Sequence, residues 1–263
     1  MTHEGRNRFR HLRRGDPPRR KAPRQRDPGS AARARAAAVA IFLLVPVHAR
    51  AGDLSGSASL ASQLADRGLA ITPATPALQG GIAWTTPSGW SLGLSGGIEV
   101  RSPGRVAESV AQVAHAWTLS GDWRMQADMV YYHYAGRLHA NVYEPGVYWV
   151  YRDILTFGVS LVHVAGAGEH SPHPAADLNF HWPLAGAFSI TGGLGVARYA
   201  VPYGNPPNER YLTGYYRYGE AGLLWRHGAW QAELDRVAID SGSRTYLSRY
   251  AASPWLIILS RSF

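Results

Sequence analysis

Trp90-Ser91-Leu92-Gly93-Leu94-Ser95-Gly96-Gly97-Ile98-Glu99 places Trp90, Leu92, Leu94 and Ile98 on one parity and Ser91, Gly93, Ser95 and Glu99 on the other. Successive side chains of an extended chain point to opposite faces, so this stretch predicts a β-strand with one apolar and one polar face. The segment before it repeats the pattern, with Leu78, Ile82 and Trp84 against Gln79, Gly81 and Thr85. Pro87-Ser88-Gly89 between them is a tight turn, so the two segments form a hairpin.

The period of two extends both ways from this hairpin. Upstream, Leu54, Ala58, Leu60 and Leu64 oppose Ser55, Ser57, Ser59 and Gln63. Downstream, 108–119 pairs with 123–134 across Ser120-Gly121-Asp122, and Trp123, Met125, Ala127 and Met129 oppose Arg124, Gln126 and Asp128. Residues 140–151 and 155–161 follow around a turn at Arg152-Asp153. Further alternating segments are 175–182, 187–200, 212–226, 229–238 and the closing run from Trp255 to Phe263. No segment carries a 3.6-residue apolar stripe. Twelve strands are expected from 52–263, about 18 residues per strand with its connection, which suits tilted membrane strands of ~9–11 residues.

Short turns at 87–89, 120–122, 152–153, 183–186 and 227–228 alternate with longer connections near 67–76, 101–107, 135–139, 165–174, 201–211 and 239–253. An up-and-down membrane barrel has this asymmetry, short inside and long outside. A soluble β-sandwich also alternates, but Trp and Tyr near the strand ends and an aromatic last residue, Phe263, favour the barrel, as does a segment for export. A closed barrel also pairs every backbone group in hydrocarbon. The expected fold is therefore all-β, an antiparallel up-and-down transmembrane barrel in the cell outer membrane.

That segment occupies residues 1–51. Of the 27 Lys and Arg in the chain, 13 lie here, with three acids, which leaves 14 Arg and 15 acids in 52–263. The net charge of +9 therefore belongs to the head. A nucleic-acid partner is excluded because no basic stripe remains for phosphate neutralisation. Residues 3–35 are Arg-rich, Pro-punctuated and poor in large apolar side chains, and are expected to be disordered. Ala36–Val47 is an apolar run too short for a spanning helix, and Ala49-Arg50-Ala51 has the small-x-small pattern of signal-peptide cleavage, placed after Ala51. The absence of cysteine rules out disulfides, so the body depends on a core or on closed hydrogen bonding.

Three motifs invite chemistry. Gly93-Leu94-Ser95-Gly96-Gly97 has the spacing of a nucleophile elbow, but no helical pattern follows it, so a lipid hydrolase using Ser95 and a histidine is the weaker reading. His163, His170 and His173 with Asp177 match no defined zinc spacing and read as a loop. Gly192-Gly193-Leu194-Gly195 lacks the helix a phosphate cradle needs. No cofactor, metal site or catalysis is expected. The informative constellation is the polar face, which by parity collects Glu99, Glu108, Asp128, Glu144, Asp177, Glu220, Glu233 and Asp235 against Arg124, Arg152 and Arg226. As a water-filled pore lining, this excess of acids favours cations, and the chain would pass small polar solutes or ions by diffusion. If the same groups pair with one another, they fill a small barrel that works instead through its surface loops.

Ser62-Gln63-Leu64-Ala65-Asp66-Arg67-Gly68, then Pro76-Ala77-Leu78-Gln79-Gly80-Gly81-Ile82 and Ser88-Gly89-Trp90, together with Tyr131-Tyr132-His133-Tyr134 and Asn141-Val142-Tyr143-Glu144, resemble the TorF family of porins in order and spacing. The first strand lacks the family's aromatic, and Arg261 stands two before Phe263 where an apolar side chain is usual. The resemblance implies a proteobacterial outer-membrane porin barrel. Its partners would be outer-membrane lipids, the barrel assembly machinery that reads Phe263, and small solutes.

Overall fold

The computed structural model describes residues 52–102, 104–136, 138–165, 171–203 and 210–263. The expected signal segment and its cleavage site after Ala51 lie outside the described residues. The elements are β1 (Asp53–Ala61), β2 (Ala65–Asp66), β3 (Leu69–Ala70), β4 (Ala77–Thr85), β5 (Trp90–Glu99), β6 (Val106–Thr118) and β7 (Trp123–Tyr134). They continue as β8 (Ala140–Tyr151), β9 (Leu155–Ala165), β10 (His173–Pro183), β11 (Phe188–Tyr203), β12 (Arg210–His227), β13 (Trp230–Ile239), α1 (Ser241–Leu247) and β14 (Trp255–Ser262).

All except β2, β3 and α1 join one antiparallel sheet in sequence order. It closes where β14 pairs with β1, from Ser57 opposite Ser262 to Ala61 opposite Ile258. The wall thus has the twelve strands that the alternation predicts. Phe263 extends the seam: its N–H donates to the Gly56 carbonyl and its carbonyl accepts from the Gly56 N–H. Closure leaves no sheet edge, the condition for strands to stand in hydrocarbon.

One end of the barrel, the turn end, carries the tight connections and the start of β1. Arg152 and Asp153 take positive φ of 50° and 60°, the conformation of the two-residue hairpin turn that matches strand twist. The other, the loop end, carries the long connections. A register shift between Gly97 and Ile98 inserts an extra residue, Ala107, in β6 at this end. It lies beyond Glu108, whose parity along β6 is unaffected.

The outward parity is apolar around the circumference. Leu94 is 59% exposed and Trp182 58%, and Ile82, Met129, Phe157, Leu161, Leu223 and Ile257 are also exposed. Trp84, Trp90, Trp117, Trp123 and Trp230 mark this face at the turn end, and Tyr143, Tyr215 and Trp255 towards the loop end. An exposed apolar belt of this extent exceeds what a water-soluble monomer tolerates and, with its aromatic rims, is the surface of a transmembrane barrel. The chain is an outer-membrane β-barrel.

Two features depart from the sequence reading. Leu64 continues the parity of Leu54 and Leu60, yet β1 stops at Ala61 and Leu64 turns inside, where it is 1% exposed. The connection from β1 to β4 follows it into the lumen instead of standing outside. The second departure is α1, seven residues capped by Asp240, whose side chain accepts from the Ser243 N–H at 2.9 Å. It is too short to show a helical period.

Candidate functional site in the lumen

The inward fold begins with Gln63 and Leu64. The Gln63 amide donates to the Thr72 carbonyl at 2.9 Å, and the Leu64 N–H donates to the Thr72 hydroxyl at 3.0 Å. Between these clasps β2 and β3 form a miniature hairpin whose turn is Arg67-Gly68, with φ of 47° and 78°. That turn aims Arg67 across the barrel.

Six strands around the ring from β1 stands β9, flanked by β8 and β10. This opposite wall supplies the partners. Arg67 Nη2 lies 2.6 Å from Glu144 Oε1 on β8 and 2.9 Å from Asp177 Oδ2 on β10, and Nη1 lies 3.1 Å from Glu144 Oε2. The Ser160 hydroxyl on β9 donates to Glu144 at 2.5 Å. The Glu144 and Asp177 side chains are only 4% and 10% exposed. A guanidinium fork clamping two buried carboxylates, with a further hydrogen bond to one of them, is the geometry in which a buried ion pair holds. Burial works against the Arg67 charge, but Glu144, Asp66 and Asp177 outweigh it and raise its affinity for the proton. Asp66 is pushed above the usual carboxylate range by burial, against Arg67 and a hydrogen bond from the Tyr134 hydroxyl.

Apolar packing surrounds the clamp on the loop side. Leu64, Leu69 and Ile71 join Tyr134, Leu138, Val142, Val162, Tyr199, Val201, Tyr216 and Leu247 in one buried cluster. Gly97 on β5 makes room for it, since a Cβ there would stand 2.5 Å from Leu64 Cδ1. A second inward segment braces the first: the Ala70 N–H donates to the Tyr250 carbonyl, the Ala252 N–H to the Gly68 carbonyl and the Ser253 N–H to the Gln63 side chain. The β1–β4 and β13–β14 connections thus form one plug that fills the loop-end half of the lumen.

The turn-end half is polar and wet. On β10–β12 Asn179, Gly193 and Glu220 are register neighbours, and Asn179 and Glu220 are exposed although they belong to the polar parity of the wall. Asp128 accepts from Gln112 at 2.9 Å and from Gln126 at 3.3 Å. Glu233 is part-buried and Asp235 buried on the same parity of β13.

The expected pore-lining residues therefore fall into four places. Asp128, Glu220, Glu233 and Asp235 stand in the turn-end half. Glu144 and Asp177 hold Arg67, while Glu99 and Glu108 are buried at the loop end of β5 and β6. Arg124, Arg152 and Arg226 stand at or near the turn-end rim: Arg124 pairs with Asp153, and Arg226 donates to Gln231 at 3.3 Å. Arg152 stands in the turn expected at Arg152-Asp153 and so does not join the polar face to which parity assigns it. It sits in the β8–β9 turn and bonds Asp122 at 2.7 Å, because the two-residue turn ends the alternation there. Hydrogen bonds from Arg152 hold the Asp122 carboxyl below its usual range.

Arg67 is the residue that the parity argument leaves out, since it belongs to a connection. Its signal is Arg67-Gly68 between Asp66 and Leu69, a turn dipeptide inside a presumed loop. Ser95 lies within β5, opposite Gly81 and Val110 in the ladders, and the strand runs on to Glu99. Among the described residues, no hydrogen bond joins Ser95 to a histidine. His163 lies near the Tyr143 ring, and His173 Nδ1 is 3.2 Å from Arg198 Nη1; His170 lies outside the described residues.

No protein-family model matches the chain, and no curated protein matches it in sequence. Solved structures with a similar course include the NanC porin, at 12% identity over 80% of this chain and 99% of that one, with a TM-score of 0.45. The KdgM porin aligns at 10% identity over 80% and 98%, with a TM-score of 0.48. OccK5 of Pseudomonas aeruginosa aligns at 8% over 72% and 58%, with a TM-score of 0.37. At these identities the likeness concerns the fold alone.

Proposed function

We propose that the barrel is a channel for small polar solutes or ions, with a net-acidic lumen, whose passage is governed by displacement of the plug that Arg67 latches to Glu144 and Asp177. The observation that carries this reading is the division of the lumen. The turn-end half is lined with water-exposed polar groups such as Asn179 and Glu220, for which a barrel sealed throughout has no use. The motif resemblance to TorF family porins supports the same reading. Excess carboxylates at Asp128, Glu220, Glu233 and Asp235 favour cations over anions.

A second reading has its own support. The hydrogen bonds that tie the β1–β4 connection to the β13–β14 connection fit a permanently filled barrel acting through its loops. Planar-bilayer recording separates the two, with the full mature chain compared to a variant in which residues 64–72 are replaced by a short Gly-Ser linker. The channel reading predicts intermittent conductance in the first, continuous conductance in the second, and reversal potentials on the cation side for both. Anion-selective reversal potentials would overturn the acidic-lumen assignment, and silence of both proteins would overturn the channel.

A further inference from the structure

On β6 to β10 the outward apolar run leads, at its loop end, to a neutral or weakly basic residue: Ser109 on β6, His133 on β7, Asn141 on β8, His163 on β9 and Pro174 on β10. Three adjacent strands differ. On β13 the outward run Trp230, Ala232, Leu234 ends in Arg236. On β12 the run Trp225, Leu223, Ala221, Gly219 ends in Arg217. On β11 the run from Phe188 through Leu194 and Val196 ends in Arg198. Register ties them together, with Val196 opposite Arg217 and Ala221 opposite Arg236. The Arg198 and Arg217 positions are diagonal neighbours, within roughly 8 Å between Cα atoms, and Arg236 lies two outward positions further along, inside the combined reach of two arginine side chains.

These side chains are placed rather than scattered. The Arg198 guanidinium stands 5.8 Å from the Tyr215 ring centre and donates to the Thr213 hydroxyl at 3.1 Å, and Arg236 stands 5.4 Å from the Trp255 ring. Arg217 and Arg236 are exposed. Asp240, the acid beside Arg217 at the end of β13, is occupied by the N–H groups of Arg217 and Ser243. Glu220, Glu233 and Asp235 lie on the opposite parity of the same strands, towards the lumen. Immediately below the arginines lies exposed hydrocarbon surface, at Leu194, Val196, Leu223 and Leu234.

We propose that the outer face of β11–β13 is a docking surface for a phosphate-bearing lipid of the outer leaflet, the arginines taking its phosphates and the apolar run beneath them its acyl chains. Guanidinium groups bind phosphate by paired, charge-assisted hydrogen bonds. Arg101 and Arg105, also exposed at the loop end, lie in the β5–β6 connection and not on a strand; among the described residues the arginines on the outer face of the wall at this end occupy one contiguous sector. The acyl-chain surface directly below distinguishes a lipid from a free anion.

The test is native mass spectrometry of the detergent-extracted barrel with diphosphoryl lipid A and with its phosphate-free form as probes. Retention of the diphosphoryl probe by the unaltered chain, with weak retention of the phosphate-free one, is expected. The Arg217→Gln/Arg236→Gln variant loses retention by about thirtyfold, while Arg217→Lys/Arg236→Lys, which keeps the charge but not the paired hydrogen bonds, falls between it and the unaltered chain. Equal retention of both probes by the unaltered chain overturns the proposal without needing any variant. Full displacement of the lipid by millimolar inorganic phosphate also overturns it, by assigning the surface to a free anion.

Discussion

Removing the latch residue by Arg67→Ala leaves Glu144 and Asp177 buried at 4% and 10% side-chain exposure with no cation between them. Breaking a buried ion pair from one side costs about 3–5 kcal/mol, because the abandoned charges remain out of water. Displacing the plug rehydrates both carboxylates, so this cost falls on the closed state. At 1.36 kcal/mol per tenfold, it shifts the closed-to-open ratio by roughly two to four orders of magnitude. Opposing it is the apolar packing of Leu64, Leu69 and Ile71, which at about 1.5–3 kcal/mol per buried side chain resists release. The expected result is frequent opening in single-channel recordings, against rare opening of the unaltered chain. The variant Arg67→Met/Glu144→Gln/Asp177→Asn removes the stranded charges while keeping the apolar packing, and should stay as closed as the unaltered chain. Unchanged open probability in Arg67→Ala, or equal opening of the triple variant, would refute the latch.

Further outcomes follow from the wall and its connections. Phe263→Ala removes the ring that covers Gly56 at the closing seam, and should lower the fraction of chain that shows boiling-dependent migration on detergent gels at early times after synthesis. Gly89→Ala forces a side chain into a position with φ 91° and 2.5 Å from the Ala116 carbonyl oxygen; the strain, about 1–3 kcal/mol, should appear as a lowered denaturant midpoint for barrel unfolding. Asp240→Ala should cost about 1 kcal/mol of cap stability, read as faster hydrogen exchange across 241–247. The backbone N–H groups of Arg217 and Ser243 hold the Asp240 carboxyl below its usual range. The cap's contribution is therefore complete above the unfolded carboxylate value and is lost as pH falls through the depressed one, so exchange in α1 should accelerate only in strong acid. Glu220→Gln/Glu233→Gln should move the reversal potential towards zero without closing the channel.

The wall was legible because its information is local. Trp90, Leu92 and Leu94 against Ser91, Gly93 and Ser95 declare a strand without reference to any other segment, and Gly89, Gly186 and Gly228, all at positive φ, punctuate the tight turns. The plug was hidden because its information is not local. Leu64 keeps the same parity as Leu60, and nothing near it in sequence says that the chain leaves the wall at Ala61. Arg67 finds Glu144 and Asp177 at separations of 77 and 110 residues, so the acids read as a pore lining with no sign that one cation neutralises two of them. Parity assigns Arg152 to the lining although it stands in the expected turn, and the positive φ of Arg152 and Asp153, which takes it out of the wall, is a backbone property. In α1, Asp240 and Ser243 carry a capping signal, but Ser241–Leu247 is too short for a period to emerge.

The arrangement of apolar belt, wet turn-end lumen and filled loop end is tested most directly by single-cysteine labelling, since the chain contains no cysteine of its own. Leu94→Cys, Asn179→Cys and Leu64→Cys would each be reconstituted in vesicles and exposed to a charged, membrane-impermeant maleimide. Rapid labelling of Asn179→Cys with protection of both Leu94→Cys, in hydrocarbon, and Leu64→Cys, in the plug, is the predicted result. Rapid labelling of Leu94→Cys together with protection of Asn179→Cys would contradict it, since the polar face would then be the buried one.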